Sequence, residues 1–228
     1  MQKIISILGS TGSIGLSAFK IIEKKKSFFK LNLLSDDKNY TLICNQIKKH
    51  KPSIFIVNDL RVFQKIKKKF KNNNIKILNN FSHLTSVKKS DITIAAIPGI
   101  AGLKPTVSMI KLSKNILLAN KESIICGWSL IKHNALKQNT NIIPIDSEHF
   151  SIFKLLKDNN SKEIKKIYIT ASGGPFLNFK AKQFKKIIPK EALKHPKWKM
   201  GKKISIDSST LMNKILELIE AQKLFNLP

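Results

Sequence analysis

The feature that most restricts this chain is a glycine-rich turn between two apolar segments of different period. Ile4, Ile5, Ile7 and Leu8 make a short, nearly continuous apolar run, the pattern of a buried strand. Gly9-Ser10-Thr11-Gly12-Ser13-Ile14-Gly15 follows directly, and Ile14, Ala18, Ile21 and Ile22 then recur at helical spacing. A strand feeding a helix through three glycines presents unpaired backbone N–H groups and the positive end of a helix dipole at one point. That suits a pyrophosphate, and glycine lets the backbone turn sharply and approach it closely. The spacing is G-x-x-G-x-x-G, a variant of the dinucleotide fingerprint. The competing reading is a tight strand-to-helix turn that binds nothing.

The turn does not stand alone. Apolar runs at 31–34, 54–57, 75–78, 92–97, 116–119 and 142–145 alternate with amphipathic stretches such as 42–50 and a lysine-rich segment ending near Lys71. Short apolar runs separated by helices predict βαβ units and a parallel, doubly wound, Rossmann-like α/β sheet. After Pro144 the texture changes. Residues 164–170 read as a strand leading into Ala171-Ser172-Gly173-Gly174-Pro175-Phe176, and residues 204–206 as a second, shorter one. Asp207, Ser208 and Ser209 are placed to cap a last helix over 210–224. Two domains are expected, 1–145 and 146–228, the second α+β.

Charge could redirect this reading. There are 42 basic and 14 acidic residues, a net charge of +28, which a nucleic-acid binder could show. Only Arg61 is an arginine, however, and bidentate recognition of phosphate or guanine favours arginine. Lysine, isoleucine and asparagine are spread along the whole chain, the mark of an AT-rich coding sequence. No specific nucleic-acid partner is expected, only weak sticking at low salt. No run approaches the roughly 20 apolar residues of a membrane span; the best, 115–131, is broken by Lys121 and Glu122. The N-terminus passes from Lys3 straight into a strand, without a signal-peptide pattern. Cys44 and Cys126 offer neither a disulfide framework nor metal spacing. A cytoplasmic protein with no membrane partner is expected.

The second strand should end where an adenosine ribose is read. Ser35-Asp36-Asp37-Lys38-Asn39 stands there. An acid suits a free 2′-hydroxyl and a cation a 2′-phosphate, so the residues leave NAD and NADP open, leaning to NADP through Lys38 and Asn39. Asp146-Ser147-Glu148 lies just past a strand end, where ligand sites of open α/β sheets lie. Glu217 falls one helical turn after Asn213 and Lys214, so the three share a face. Carboxylates without thiols favour a hard ion, Mg²⁺ or Mn²⁺. Any one of these acids alone reads as a surface carboxylate or a cap. His195, Trp198 and Met200 lie on a loop bounded by Pro196 and Gly201, a candidate lid or a packed surface loop.

In order, the strings are GSTGSIG from Gly9, LANKES from Leu118, PIDSEH from Pro144, ASGGPF from Ala171, HPKWKMG from His195 and KISIDSSTLMNK from Lys203, with Glu217 beyond. Together they resemble the 1-deoxy-D-xylulose 5-phosphate reductoisomerases and cover nearly the whole chain. The resemblance implies an NADPH-binding domain at 1–145 and a catalytic domain at 146–228. It implies NADPH and Mn²⁺, Mg²⁺ or Co²⁺ as cofactors, a sugar phosphate substrate and a homodimer. Thr11, Gly12, Ser13 and Ile14 would hold the NADPH phosphates, Lys38 and Asn39 its 2′-phosphate, with Asn120, Glu122 and Gly201 also touching NADPH. Asp146, Glu148 and Glu217 would bind the metal. Lys121, Ser147, Glu148, Ser172, His195, Ser208, Asn213, Lys214 and Glu217 would hold substrate. Lys121, Glu148 and His195 would act in catalysis, with Trp198 and Met200 on a loop closing over the substrate.

Two departures stand out. Asp37 takes the place where the family usually has glycine, which predicts lower NADPH affinity or weaker NADP selectivity. The family also continues past the segment matching 224–228, so the catalytic sheet is expected to be incomplete, the C-terminal helical domain absent, and the chain poorly active or inactive. Two rival readings follow: a noncatalytic remnant that retains nucleotide binding, and an aspartate-semialdehyde-dehydrogenase-like enzyme. The latter needs a nucleophilic cysteine in a setting that Cys126 lacks.

Overall fold

The computed structural model describes residues 1–84, 87–157, 164–197 and 201–227. The chain divides into two compact units, Met1–Asp146 and Ser147–Pro228.

The first unit alternates strands and helices from its first residues. In chain order come β1 (Lys3–Leu8), α1 (Ser13–Lys24), β2 (Phe29–Asp36), α2 (Tyr40–His50), β3 (Ile54–Val57) and α3 (Leu60–Lys69). Then follow β4 (Lys76–Leu78), β5 (Ser90–Ala95), a 3-10 turn at Ile100–Gly102, α4 (Leu103–Ile110), β6 (Ser113–Leu118), α5 (Lys121–Gln138) and β7 (Asn141–Pro144). The seven strands form one parallel sheet in the order β4-β3-β2-β1-β5-β6-β7. This is the doubly wound, Rossmann-like arrangement expected from the alternation. Strand order reverses between β1 and β5, so the crevice of the sheet opens beyond the carboxyl ends of those two strands. The central strands are buried on both faces: Ile7, Leu8, Leu33, Leu34, Phe55 and Ile56 are fully covered. Such strands read as continuous apolar runs, which is why periodicity found them.

The second unit is helical among the described residues. α6 (Ser147–Lys157) is followed by the short helices α7 (Ala181–Phe184) and α8 (Pro189–Ala192), then α9 (Lys202–Ser209) and α10 (Met212–Phe225). Three expectations are corrected here. Residues 164–170 form no strand. Their alternation is real, with Ile167 and Ile169 half-buried and Tyr168 and Thr170 exposed, but a strand also needs a partner, and the described residues of this unit provide none. Residues 204–206 lie inside α9. Three alternating residues are too short a sample to separate period 2 from period 3.6. Asp207, Ser208 and Ser209 end α9 instead of capping the last helix, and α10 starts after Leu211, which has a left-handed backbone (φ 60°) and no side-chain cap. Asp207 is instead held by Lys203 one turn earlier, at 2.6 Å.

Candidate active site

At the crevice of the first unit, Gly9 takes φ 77°, and its N–H reaches back to Ser35 O at 3.0 Å. A Cβ there would lie 2.8 Å from Ala96 O, just past β5. Gly15 is equally constrained, since its Cβ would lie 2.6 Å from the carbonyls of Gly9 and Ser10. The turn therefore exists only with glycine at both places. Gly12 caps α1 with no side-chain hydrogen bond, Ser13 starts the helix, and Gly12, Ser13 and Ile14 are exposed. A helix N-terminus left open at a switch point is an anion site by its own chemistry.

Thr11 leans toward β2 and donates its hydroxyl to Asp36 Oδ1 at 2.5 Å. Asn39 gives its backbone N–H to Asp36 Oδ2 at 3.3 Å, and its side chain caps α2 by accepting from Leu42 N at 3.2 Å. Lys38 is exposed and sits 3.9 Å from Asp37. Asn120, 3% exposed, caps α5 by accepting from Ser123 N at 2.8 Å and donates to Ile97 O and to Gly99 O. It ties the end of β6 to the loop after β5. Lys121 and Glu122 open α5 at that same edge, and Asp146 closes the unit two residues past β7. Gly201 lies in the second unit as the cap of α9, with open space where a Cβ would be.

In the second unit, α6 and α10 bring together residues 66 positions apart. Lys214 Nζ lies 3.2 Å from Glu148 Oε1 and 2.5 Å from Glu217 Oε2. Asn213 donates to the other oxygen of Glu217, and the Ser147 hydroxyl donates to Glu148 Oε2 at 2.7 Å. The expected shared face of Asn213, Lys214 and Glu217 is thus present. Burial alone would raise the Glu148 carboxyl, but hydrogen bonds from Ser147 and the backbone and the charge of Lys214 hold it below the usual carboxylate range. Burial would lower Lys214, and the bond to Glu217 with the charges of both glutamates keeps it above the usual lysine value. Glu148 and Glu217 thus converge on one cation, the Lys214 ammonium. Ser147 and Glu148 stand at one side of a cleft of about 610 Å³ between α6 and residues 164–170.

Ser172 Oγ lies 3.0 Å from His195 Nε2, joining two residues expected to hold substrate. Gly174, at φ 66°, is packed so tightly against Ser208 that a Cβ would lie 2.6 Å from its carbonyl oxygen. Ser208 therefore neighbours the Ser172 loop, but from the end of α9 and not from a helix start. Trp198 and Met200 lie outside the described residues.

Sequence reasoning missed His149 and Glu220. The His149 ring is fully buried, with Nε2 2.9 Å from Glu217 O and Nδ1 3.4 Å from Glu220, itself 2% exposed. This pair backs the helical turn that carries Glu217. The available signal was the three-residue step from Glu217 to Glu220, which puts both on one stripe of α10.

A doubly wound sheet with a glycine turn at its switch point, followed by a carboxylate–lysine cluster, defines an α/β protein of the Rossmann-like class. Two family models narrow this. Residues 5–127 match 1-deoxy-D-xylulose 5-phosphate reductoisomerase, and residues 142–225 match the C-terminal domain of the same family. The chain belongs to the 1-deoxy-D-xylulose 5-phosphate reductoisomerase family. It is 51% identical, over 99% of its length, to the reductoisomerase of Pelagibacter ubique (strain HTCC1062) and 45% to that of Clostridium novyi (strain NT). It covers 59% and 60% of those proteins. Among solved structures it matches the enzyme from Zymomonas mobilis in complex with NADPH, at TM-score 0.88 and 33% identity, covering all of this chain and 59% of that one. A reductoisomerase in complex with NADPH, fosmidomycin and magnesium matches at TM-score 0.87, 35% identity and the same coverage.

Proposed function

We propose that this chain carries the nucleotide, metal and substrate sites of a reductoisomerase that rearranges 1-deoxy-D-xylulose 5-phosphate and reduces the product to 2-C-methyl-D-erythritol 4-phosphate. The observation that carries the reading is the Glu148–Lys214–Glu217 cluster, two carboxylates gathered on one cation by helices far apart in sequence. Its all-oxygen donors fit Mg²⁺ or Mn²⁺, and the family pattern adds Asp146. The glycine turn and the open start of α1 fit the pyrophosphate of NADPH, with Thr11, Gly12, Ser13 and Ile14 as the cradle. Lys38, Asn39, Asn120, Glu122 and Gly201 complete the proposed nucleotide contacts.

When bound, the metal supplies Lewis-acid polarisation of the substrate ketone and its neighbouring hydroxyl, and NADPH supplies the hydride. The chain's own residues do the rest. Glu148 and Glu217 present carboxylate oxygens to the same cation. Lys214 balances their charge and, with Asn213, Ser172 and Ser208, provides donors for a phosphate. His195 holds the Ser172 hydroxyl in place. Lys121 offers a positive charge to a developing oxyanion. Trp198 and Met200 are assigned to a loop that excludes water. The same reading carries a homodimer and a cytoplasmic setting; no helix among the described residues is long and apolar enough to cross a membrane.

The test is NADPH oxidation by the purified chain with 1-deoxy-D-xylulose 5-phosphate and Mn²⁺, against a metal-free control. Slow metal-dependent loss of nicotinamide absorbance is expected, in keeping with the poor activity the sequence predicts, and it should fall by at least about a hundredfold in Glu217→Gln. NADPH binding without metal-dependent turnover would replace the reading with that of a noncatalytic nucleotide-binding protein.

A further inference from the structure

Of the two acids after β2, one is fixed and the other is loose. Asp37 has a side chain that is 57% exposed and lies 3.9 Å from Lys38. Asp36 is the last residue of β2 and is held on three sides. Its carbonyl accepts from Asn58 N at 3.1 Å, one carboxylate oxygen from Thr11, and the other from Asn39 N. A carboxylate is acceptor-only, with about four lone-pair positions. Two are used, and two remain. The group therefore stands at the strand end beside the glycine turn, able to accept two further hydroxyl donors.

That is the place and the chemistry for a ribose with a free 2′-hydroxyl. A 2′-phosphate offers only acceptors and negative charge. The neighbouring cation, Lys38, lies 75% exposed in a surface pair with Asp37, a contact that contributes little and is easily given up. Residues 36–38 thus set two carboxylates against one ammonium. The Thr11 bond also couples the ribose end to the pyrophosphate turn, so Asp36 cannot swing away without disturbing Thr11.

We propose that Asp36 is a specificity-determining residue that makes this site read the adenosine 2′-hydroxyl, so that the chain binds NADH about as tightly as NADPH. The inference rests on the nucleotide site proposed above. It moves the effect expected from Asp37 to its neighbour.

The test is calorimetric titration of the full chain with NADH and with NADPH at one fixed salt concentration, for the wild type, Asp36→Asn, Asp36→Ala and Asp37→Asn. Wild-type dissociation constants within about threefold of each other are expected. Both Asp36 variants should weaken NADH and tighten NADPH, moving their ratio about tenfold toward NADPH. Asp37→Asn should move it much less. Asp36→Asn keeps an acceptor for Thr11, so it decides the matter if Asp36→Ala melts early. A wild type favouring NADPH by about a hundredfold, or a ratio unmoved in folded Asp36 variants, overturns the proposal. Absence of binding by either nucleotide overturns the nucleotide site itself and this inference with it, a result distinct from an unmoved ratio.

Discussion

The two units keep different things out of water. In residues 1–146 the buried set is dominated by Ile, Leu, Val and Phe from strands covered on both faces, with small polar groups such as Ser6, Ser90 and Thr93 paired between strands. In residues 147–228, among the described residues, the buried apolar side chains are Ile152, Phe176, Ala192 and Ala221, against buried His149, Ser205, Ser209, Glu217 and Glu220. Apolar burial is non-directional and tolerant. A buried polar network is directional, and it fixes geometry only while each member is satisfied. The first unit therefore separates scaffold from candidate site: the sheet supplies stability and the turns at its carboxyl end form the proposed nucleotide cradle. In the second unit, the groups that hold α6 to α10 are the groups that shape the carboxylate site.

The largest effect that follows in the second unit is at His149. His149→Phe keeps a buried aromatic ring facing Phe225, 6.4 Å away between centroids. It removes the bonds to Glu217 O and Glu220. A loss of about 2–3 kcal/mol is expected in urea unfolding followed by a probe in the second unit. Mn²⁺ affinity, read by paramagnetic relaxation of water protons, should fall with it, because the Glu217 turn loses its backing. A conservative apolar truncation beside it, Ile152→Val, should cost about 1 kcal/mol and leave Mn²⁺ binding alone. If Ile152→Val proved the costlier, the second unit would be an ordinary apolar core and the contrast would fall.

In the first unit a polar contact should matter less, and at the sheet edge. Asp91 accepts from Ile4 N at 2.8 Å and pairs with Lys114 at 2.7 Å. The bond from Ile4, with help from Lys114, holds its carboxyl below the ordinary value. A carboxyl depressed in the folded state stabilises the fold above its unfolded pKa, and that contribution is lost as pH falls through the folded value. Asp91→Asn should cost about 1 kcal/mol at pH 7. The gap from wild type should close on the acid side of the ordinary carboxylate range. A gap constant with pH would show that the residue acts through packing and not charge.

How legible each unit was in the sequence follows from the same contrast. The central strands β2 and β3 of the first unit are runs such as Ile54–Val57 whose apolar character is set by burial on both faces, and the glycine turn announces its own backbone. Asn213, Lys214 and Glu217 could be placed on one face because helical period is local. Glu148 meeting Lys214 could not be derived that way, since 66 residues separate them; the resemblance named both residues without giving their contact. The contact of His149 with Glu220 was out of reach for the same reason, although helical period does put Glu220 on one stripe with Glu217. The strand expected at 164–170 failed on a different point: alternation describes one strand, whereas a sheet is a relation between two.

That last point gives the smallest expected effect and the sharpest test. Residues 164–170 make no ladder among the described residues, whereas Ile116 in β6 is paired on both sides, by β5 and β7. Proline removes a backbone donor and is excluded from central strands. The comparison that isolates the donor is proline against alanine at one position, since both lose the isoleucine contacts. At Ile116 the proline variant should be at least about 3 kcal/mol less stable than the alanine variant, or fail to fold. At Ile169 the same difference should be below about 1 kcal/mol, measured by urea unfolding at two protein concentrations. A proline-specific loss at Ile169 approaching that in β6 would mean that the segment is a paired strand in solution. Dependence of that loss on concentration would place the partner on a second molecule, and the second unit would then owe its order to a sheet after all.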